Sequence, residues 1–544
     1  MRSAALRTGV NPIRSVRASF LPRDRAGLVR LLAPFVVIAL AIQGGIIGAT
    51  ARASWGSLGR DQGIFQYIAW AIGQGDVAYR DVRDVNGPVI PGVHLLFQAL
   101  GGTEEHRFRV LDLVVSSLVF LAAGALASRA RDVRAVLWAG AAWTVLMAQY
   151  VVYGFWDTAQ RESFLDWFVL ASIALQLRKK SSVLVGALAV VPCLGKPTYA
   201  LFLLPQLVVL LSGPDRWRQL RSYALGGALG ALGPVAFLVL RGDFAGFVRI
   251  SLVDVPTMYR FIWPRTAAAI LGMWGYSSLA IAAVVTSGAL AALIVLRLLP
   301  WRALPVATMP LLGLASVIVQ AKGFPYHFHP VTLGTAFGWI VGLAALGRAG
   351  HRGWVALGIA GALAAGLHAG RLAQAAPDPE GEGYDRARLA AFDRVDFFPN
   401  GLRDAASFIA DHTRADERVQ TYGMDAYVLF LARRRSATPY IYAYDLNADA
   451  ALNGSYDPDG IHPTEPQKQA IEAMRVAHVT DLGARLVRTP PAAFVFVDRS
   501  PLMSSTDAVA DFEAHCPEVA AWVAAHYRPA ADFEGIRVWL RKVE

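Results

Sequence analysis

Eleven apolar runs of spanning or near-spanning length limit what this chain can fold into more than any other feature. They fall at roughly residues 29–49, 107–127, 135–152, 162–178, 182–195, 197–212, 222–240, 270–298, 303–320, 331–347 and 353–374. A helix needs about 20 mainly apolar residues to cross the hydrocarbon core of a bilayer, so these runs predict a polytopic α-helical membrane protein. The fifth and sixth are short and share the break LGKPT. A hydrophobic content of 55% across 544 residues and a mean hydropathy of +0.40 agree that most of the chain lies in lipid.

Charge orients the spans. Seven arginines precede residue 31, and the apolar stretch LLAPFVVIALAIQGGIIGAT follows them. That stretch is longer than a signal-peptide core and lacks a clean small-x-small site, so it reads as a retained first span behind a basic N-terminus, residues 1–28. With the N-terminus cytoplasmic, the inner loops collect Arg129, Arg131 and Arg134; Arg178, Lys179 and Lys180; Arg216, Arg218 and Arg221; Arg297 and Arg302; and Arg348 and Arg352. Residues 1–376 carry 34 Lys and Arg against 15 Asp and Glu, whereas residues 377–544 carry 18 against 26. An odd number of spans puts this acidic tail outside. A pI of 9.7 that arises from loop arginines is no sign of nucleic-acid binding. Cys193 and Cys516 are too far apart in sequence to suggest a disulfide framework or cysteine metal site.

The tail, 377–544, alternates helical patterns with short β-rich runs, YVLFLA, TPYIYAY, AAFVFVD and IRVWLRK, which predict an extracytoplasmic α/β domain. The segment AQAAPDPEGEGYD reads as its linker to the transmembrane domain, residues 29–376. No GxxxxGK[ST], GxGxxG or HExxH occurs in a convincing context, which disfavours an ATP-driven pump, a dinucleotide enzyme and a zincin.

The polar chemistry gathers on the outer side. The first outer loop, 50–106, contains RDQGIFQYIAWAIGQGDVAYRDVRDVNGP, with four carboxylates and three arginines. It is joined by GFWDTAQRE, GKPT, VDVPTMYRFIWPR and QAKGFPYHFHP, each abutting a hydrophobic helix. Charges are costly within a bilayer, so five such stretches on one face favour a site, although each Lys or Arg taken singly can also snorkel to headgroups. Asp61 is placed to act as general base towards a hydroxyl. The cations available to a departing phosphate are Arg161, Lys196, Arg260, Arg265, Lys322, His327 and His329. Asp84, Arg80, Glu162 and Tyr326 are candidates for acceptor or sugar contacts, with ion pairing of Asp81 to Arg80 and of Arg161 to Glu162 as the plain structural alternatives. A divalent cation would find Asp61, Asp84, His327 and His329, but H-x-H alone is equally suited to hydrogen bonding or packing. GIFQYIAWAI is expected to lie along the interface, and Trp55, Tyr67, Trp70, Trp156, Tyr259 and Trp263 to form an interfacial aromatic belt.

In the order of these motifs the chain resembles the GT-C superfamily of polytopic glycosyltransferases, especially the branch of the protein O-mannosyltransferases and the lipid A aminoarabinose transferase. The likeness is carried by Asp61 after the first span, YRDVRDVNGPVIPG, AQRE, LGKPT, KGFPYHFHP and the outer α/β tail, and it covers most of the chain. It implies an inverting transfer, metal-independent or metal-assisted, from a polyprenyl-phosphate sugar to a lipid, glycan or protein acceptor. Asp61 would be the base and Arg161, Lys196 and Lys322 the donor-phosphate contacts. The family often has Asp-Glu where this chain has Asp61-Gln62, leaving the second carboxylate absent or replaced by Asp84 or Glu162. Three other readings compete: a transporter or flippase of lipid-linked glycans, an O-antigen ligase or polymerase using a diphosphate-linked donor, and a non-catalytic assembly protein.

Overall fold

The computed structural model of the protein describes residues 25–128, 133–147, 149–150, 153–273, 276–346 and 397–542. Among these, five helices are long and apolar enough to cross a membrane: Glu105–Ser128, Arg216–Arg241, Tyr276–Val295, Trp301–Gln320 and Pro325–Leu346. The expected runs also appear as the 29-residue helix Arg25–Ala53 and as the shorter helices Val133–Leu146, Arg161–Leu177, Ser182–Gly195 and Pro197–Leu211. The protein is a multi-pass helical membrane protein. The run at 270–298 is not one helix: a separate turn, Ala267–Gly272, ends at Met273 before Tyr276–Val295 begins. The eleventh run, 353–374, the linker and the arginines before residue 25 lie outside the described residues.

The first outer loop folds into two helices, Arg60–Gly73 and Val89–Gly101. The GIFQYIAWAI stretch does not lie along a lipid surface, because every residue from Gln62 to Ile72 is buried. The tail covers it. The ring of Tyr427 sits so close to Gly63 that a Cβ there would overlap it, and the Tyr67 hydroxyl accepts a bond from the Ser436 backbone N–H at 2.7 Å.

The tail is built on a five-stranded sheet of order β2-β1-β3-β5-β4, with β1 at Arg418–Tyr422, β2 at Arg435–Ser436, β3 at Ala493–Val497, β4 at Tyr527–Phe533 and β5 at Ile536–Arg541. β1 pairs in parallel with β2 and β3, while β5 runs antiparallel to β3 and β4. AAFVFVD and IRVWLRK supply β3 and β5 as expected, and all five residues of β3 are buried, as a strand covered on both faces requires. YVLFLA is instead the helix Tyr427–Ala432, ended by Arg433 at φ 54°. A short apolar run buried all round carries no periodicity that separates strand from helix. TPYIYAY contributes no strand either: Gln420 donates to the Tyr440 carbonyl at 3.0 Å, the Arg83 N–H to that of Pro439 at 3.2 Å, and the Ala443 N–H to that of Gly423 at 2.8 Å.

Oppositely charged pairs fasten the tail to the outer loop. Arg60 meets Asp425 at 2.8 Å, Arg83 meets Asp445 at 3.0 Å, and Arg418 and Arg435 grip Asp76 at 2.7 and 3.2 Å. The carboxylates crowded into the first outer loop therefore have separate tasks. Asp76 docks the tail, Asp81 pairs with Arg80 at the surface at 2.8 Å, Asp84 bonds locally to Asn86, and Asp61 faces a cavity.

Candidate active site

Where the outer loop, the other outer turns and the tail meet, they enclose a cavity of about 370 Å³. Asp61 enters it from the first turn of the helix Arg60–Gly73. Its neighbour Gln62 turns away. The Gln62 side chain accepts from the Gly59 N–H at 3.0 Å and donates to the Thr158 carbonyl, so it closes the start of the helix and ties it to the turn before Arg161. The position at which the resembling family often has a second carboxylate is thus a cap in this chain.

The Tyr326 hydroxyl hydrogen-bonds to the Asp61 carboxylate. Burial raises the pKa of Asp61 above the usual carboxylate range, against the pull of Arg161 and then Arg60. Arg161 stands beside it at the start of Arg161–Leu177. Its guanidinium donates to Asn86 Oδ1 at 2.7 Å and to the Tyr326 hydroxyl at 3.0 Å, and it lies 5.1 Å from the centre of the Tyr326 ring. Its Nε is buried without a hydrogen-bond partner. Asn86 is in turn held by Asp84, whose Oδ1 accepts from the Asn86 side chain at 2.6 Å and its backbone N–H at 3.1 Å. Burial pushes Asp84 up to about 6, against those two bonds. The NGP turn that carries Asn86 fits because Gly87 lies flat against the Leu194 carbonyl, where any Cβ would overlap.

Lys322 lines the cavity from the turn after Leu304–Gln320. Its ammonium donates to the carbonyls of Tyr259 at 3.0 Å, Arg260 at 3.3 Å and Ile262. Those bonds use all three of its protons and fix the loop 259–263, in which Trp263 takes a left-handed conformation, φ 46°, that a bulky residue rarely adopts. Burial pushes the Lys322 amine down to about 7. Trp156, Tyr259 and Trp263 form cavity walls rather than a membrane belt, whereas Trp55 is 69% exposed.

The other expected residues lie elsewhere. Glu162 and Lys196 form a buried ion pair beneath the cavity, with His327 Nε2 3.7 Å from the same Glu162 oxygen and His329 Nδ1 3.0 Å from the Ser163 hydroxyl. Arg80 is on the surface, Arg260 is exposed beside the Phe261 ring, and Arg265 donates to the Met273 sulfur, so none of the three lines the cavity. Asp61, Asp84, His327 and His329 do not converge as an ion-binding group. Among the described residues the one such convergence of three is Asp449, Asp511 and His515 in the tail. There both His515 nitrogens are already engaged, by the Asp511 carbonyl at 2.8 Å and by Asp449 at 3.0 Å. Asn86 and the tail residues Met424, Tyr442, Tyr444, Pro501 and Leu502 complete the cavity and were not anticipated from sequence.

No protein-family model matches the chain, and no curated protein matches it in sequence. Among solved structures, it resembles ArnT from Cupriavidus metallidurans in the apo state, with a TM-score of 0.53, 15% identity, and coverage of 94% of this chain and 98% of that one. The structure of the same enzyme bound to undecaprenyl phosphate aligns at a TM-score of 0.40, with 15% identity and the same coverage. The Archaeoglobus fulgidus oligosaccharyltransferase in complex with zinc and sulfate aligns at 0.42, with 12% identity over 89% and 71% of the two chains. The first of these carries the fold: the chain shares with that structure an arrangement of transmembrane helices followed by a small sheet domain, the architecture expected from its sequence.

Proposed function

We propose that the protein is an inverting glycosyltransferase that moves a sugar from a polyprenyl-phosphate donor to a lipid, glycan or protein acceptor on the outer face of the bacterial inner membrane. In this reading the N-terminus is cytoplasmic and the sheet domain periplasmic. The observation that carries it is a cavity, lined by the loops at one end of the helices and by the tail, in which Asp61 stands beside Arg161 with Lys322 in the same wall.

The chemistry follows from those groups. The acceptor hydroxyl gives its proton to the Asp61 carboxylate as its oxygen bonds to the anomeric carbon. The bond from that carbon to the phosphate oxygen breaks, and its electron pair leaves with the polyprenyl phosphate. Arg161 meets the added negative charge through its fork of donors, while Lys322, its protons held by carbonyls, contributes field at a distance. A carboxylate whose pKa is raised by burial is a stronger base once ionised, so activity should fall as the pH drops through a value above the ordinary carboxylate range.

The test is release of free polyprenyl phosphate from a panel of polyprenyl-phosphate sugars by the purified protein and by Asp61→Asn, with membrane extract as acceptor source and with or without EDTA. Release by the wild type that drops by roughly 10²- to 10⁴-fold in Asp61→Asn supports the assignment. Equal release by both removes Asp61 as base, and no release from any donor by folded protein removes the monophosphate-donor reading.

A further inference from the structure

We infer that Tyr442 and Tyr444, both contributed by the tail, form the wall that selects a hydroxyl-bearing sugar ring in this cavity. The inference rests on the transferase reading and assigns it a specificity element. The stretch TPYIYAYD, irregular in backbone up to the short helix Tyr444–Asn447, is pinned along its length. Besides the bonds at Pro439, Tyr440 and Ala443, the Arg83 guanidinium clamps Asp445 at 3.0 and 3.2 Å while holding Asp254 of the membrane domain at 2.8 Å.

The tyrosines of this stretch divide between two surroundings. Tyr440 turns into the tail, where its hydroxyl donates to Asp481 at 3.0 Å. Tyr442 and Tyr444 turn into the cavity. Their rings stack at 5.1 Å with an interplanar angle of 15°, and Tyr444 meets Tyr259 of the membrane domain at 6.1 Å, so the aromatic wall is continuous across the two domains. The residues are only 6% and 4% exposed. Neither phenol has a hydrogen-bond partner among the described residues, and neither oxygen belongs to the sealed, unsatisfied set, so both open onto the cavity space.

A phenol that faces the cavity without a protein partner is free to bond a ligand that enters there. A pyranose ring is such a ligand, offering hydroxyls to the phenol oxygens and C–H faces to the rings, and nothing in this wall calls for a charged substituent. Sites built to bond a substrate hydroxyl discriminate strongly against analogues that lack it, because the site's own polar group is then stranded. The ring can belong to the donor sugar or to a glycan acceptor, which present the same chemistry.

The experiment uses full-length protein as wild type, Tyr442→Phe, Tyr444→Phe and the double variant, changes that keep the rings and their packing. In one arm the donor sugar is intact or singly deoxygenated with the acceptor fixed; in the other the acceptor is varied with the donor fixed. Each Phe substitution is expected to lower kcat/KM about tenfold for the hydroxylated ring while leaving one deoxy analogue unchanged, and the arm in which discrimination collapses identifies the ring. Discrimination equal to wild type in both arms overturns the inference while leaving the transferase reading intact. Should the wild type show no turnover, thermal shift by a short-chain polyprenyl-phosphate hexose and by a methyl hexoside replaces the kinetic readout. A shift that disappears in the double variant then supports the wall without the transferase reading, and no wild-type shift, or an equal one in all four proteins, overturns the wall.

Discussion

The cavity and the ionic cluster beneath it are made of the same residue types yet solve opposite problems. In the cavity, Asp61 and Lys322 have neutral or backbone partners, Tyr326 and three carbonyls, while Arg161 donates to Asn86 and Tyr326 and keeps its Nε 3.8 Å from Glu162, the ion pair that its sequence position suggested. In the cluster, Glu162 is fully buried and neutralised by Lys196, with His327 close by. Arg161 and Glu162 are adjacent in sequence, but only Arg161 lines the cavity. A charge at a helix end therefore shows that the helix end is polar and does not show which side of the wall the charge serves. Glu162 and Lys196 are closed on each other, whereas Arg161 still presents donors to the cavity.

The sharpest way to break this distinction is Glu162→Gln. It strands the Lys196 ammonium in a buried site, and removing one partner of a buried pair typically costs about 3–5 kcal/mol. Thermal unfolding in detergent should show a large drop in midpoint, while the molecules that remain folded keep their KM for donor. A normal midpoint with a raised KM would move Glu162 and Lys196 into the binding site.

Asp84→Asn acts in the opposite direction on stability. A buried carboxyl held near 6 against an unfolded value of about 3.9 binds its proton more tightly in the folded state, so ionising it lowers stability progressively from about pH 4 to pH 6. At neutral pH that cost is roughly 3 kcal/mol. The variant should therefore melt higher than wild type at pH 7.5, converge with it near pH 4, and still lose turnover because Asn86 no longer holds Arg161 as firmly. An unchanged difference across that pH range would refute the titration, and full activity would refute the Asp84–Asn86–Arg161 relay.

Arg161→Lys should give the smallest effect of the three. It keeps the charge but loses the fork that reaches Asn86 and Tyr326 together, so kcat/KM for donor should fall by roughly ten- to a hundredfold, about 1.4–2.8 kcal/mol, with little change in melting. Wild-type kinetics would mean that the charge alone suffices.

The membrane fold was legible in sequence because hydrocarbon imposes a length and a composition on each span. The tail was legible only in part. AAFVFVD has the continuous apolar character of a buried strand and forms β3, whereas YVLFLA has the same character and is a helix, since burial on every side erases the period that distinguishes them. Asp61, Arg161, Lys322 and Tyr326 could be named beforehand because each interrupts or flanks an apolar run and so stands out. Asn86 was hidden in what reads as a turn, and Tyr442 and Tyr444 in what reads as a strand, more than three hundred residues from Asp61. No local pattern marks a wall formed by tertiary docking, and the same docking turned GIFQYIAWAI from an expected surface helix into a buried one.

The salt links between the outer loop and the tail also have a consequence for time. Met424, Tyr442, Tyr444, Pro501 and Leu502 close a cavity whose floor is made hundreds of residues earlier. A nascent chain that has completed its last described apolar helix, ending at Leu346, has Asp61 and Arg161 but only half an enclosure around them. The site comes into existence as a late event in synthesis, when the sheet domain folds and Arg60, Asp76 and Arg83 find their partners. Enclosure of the cavity is thereby tied to folding of the sheet domain.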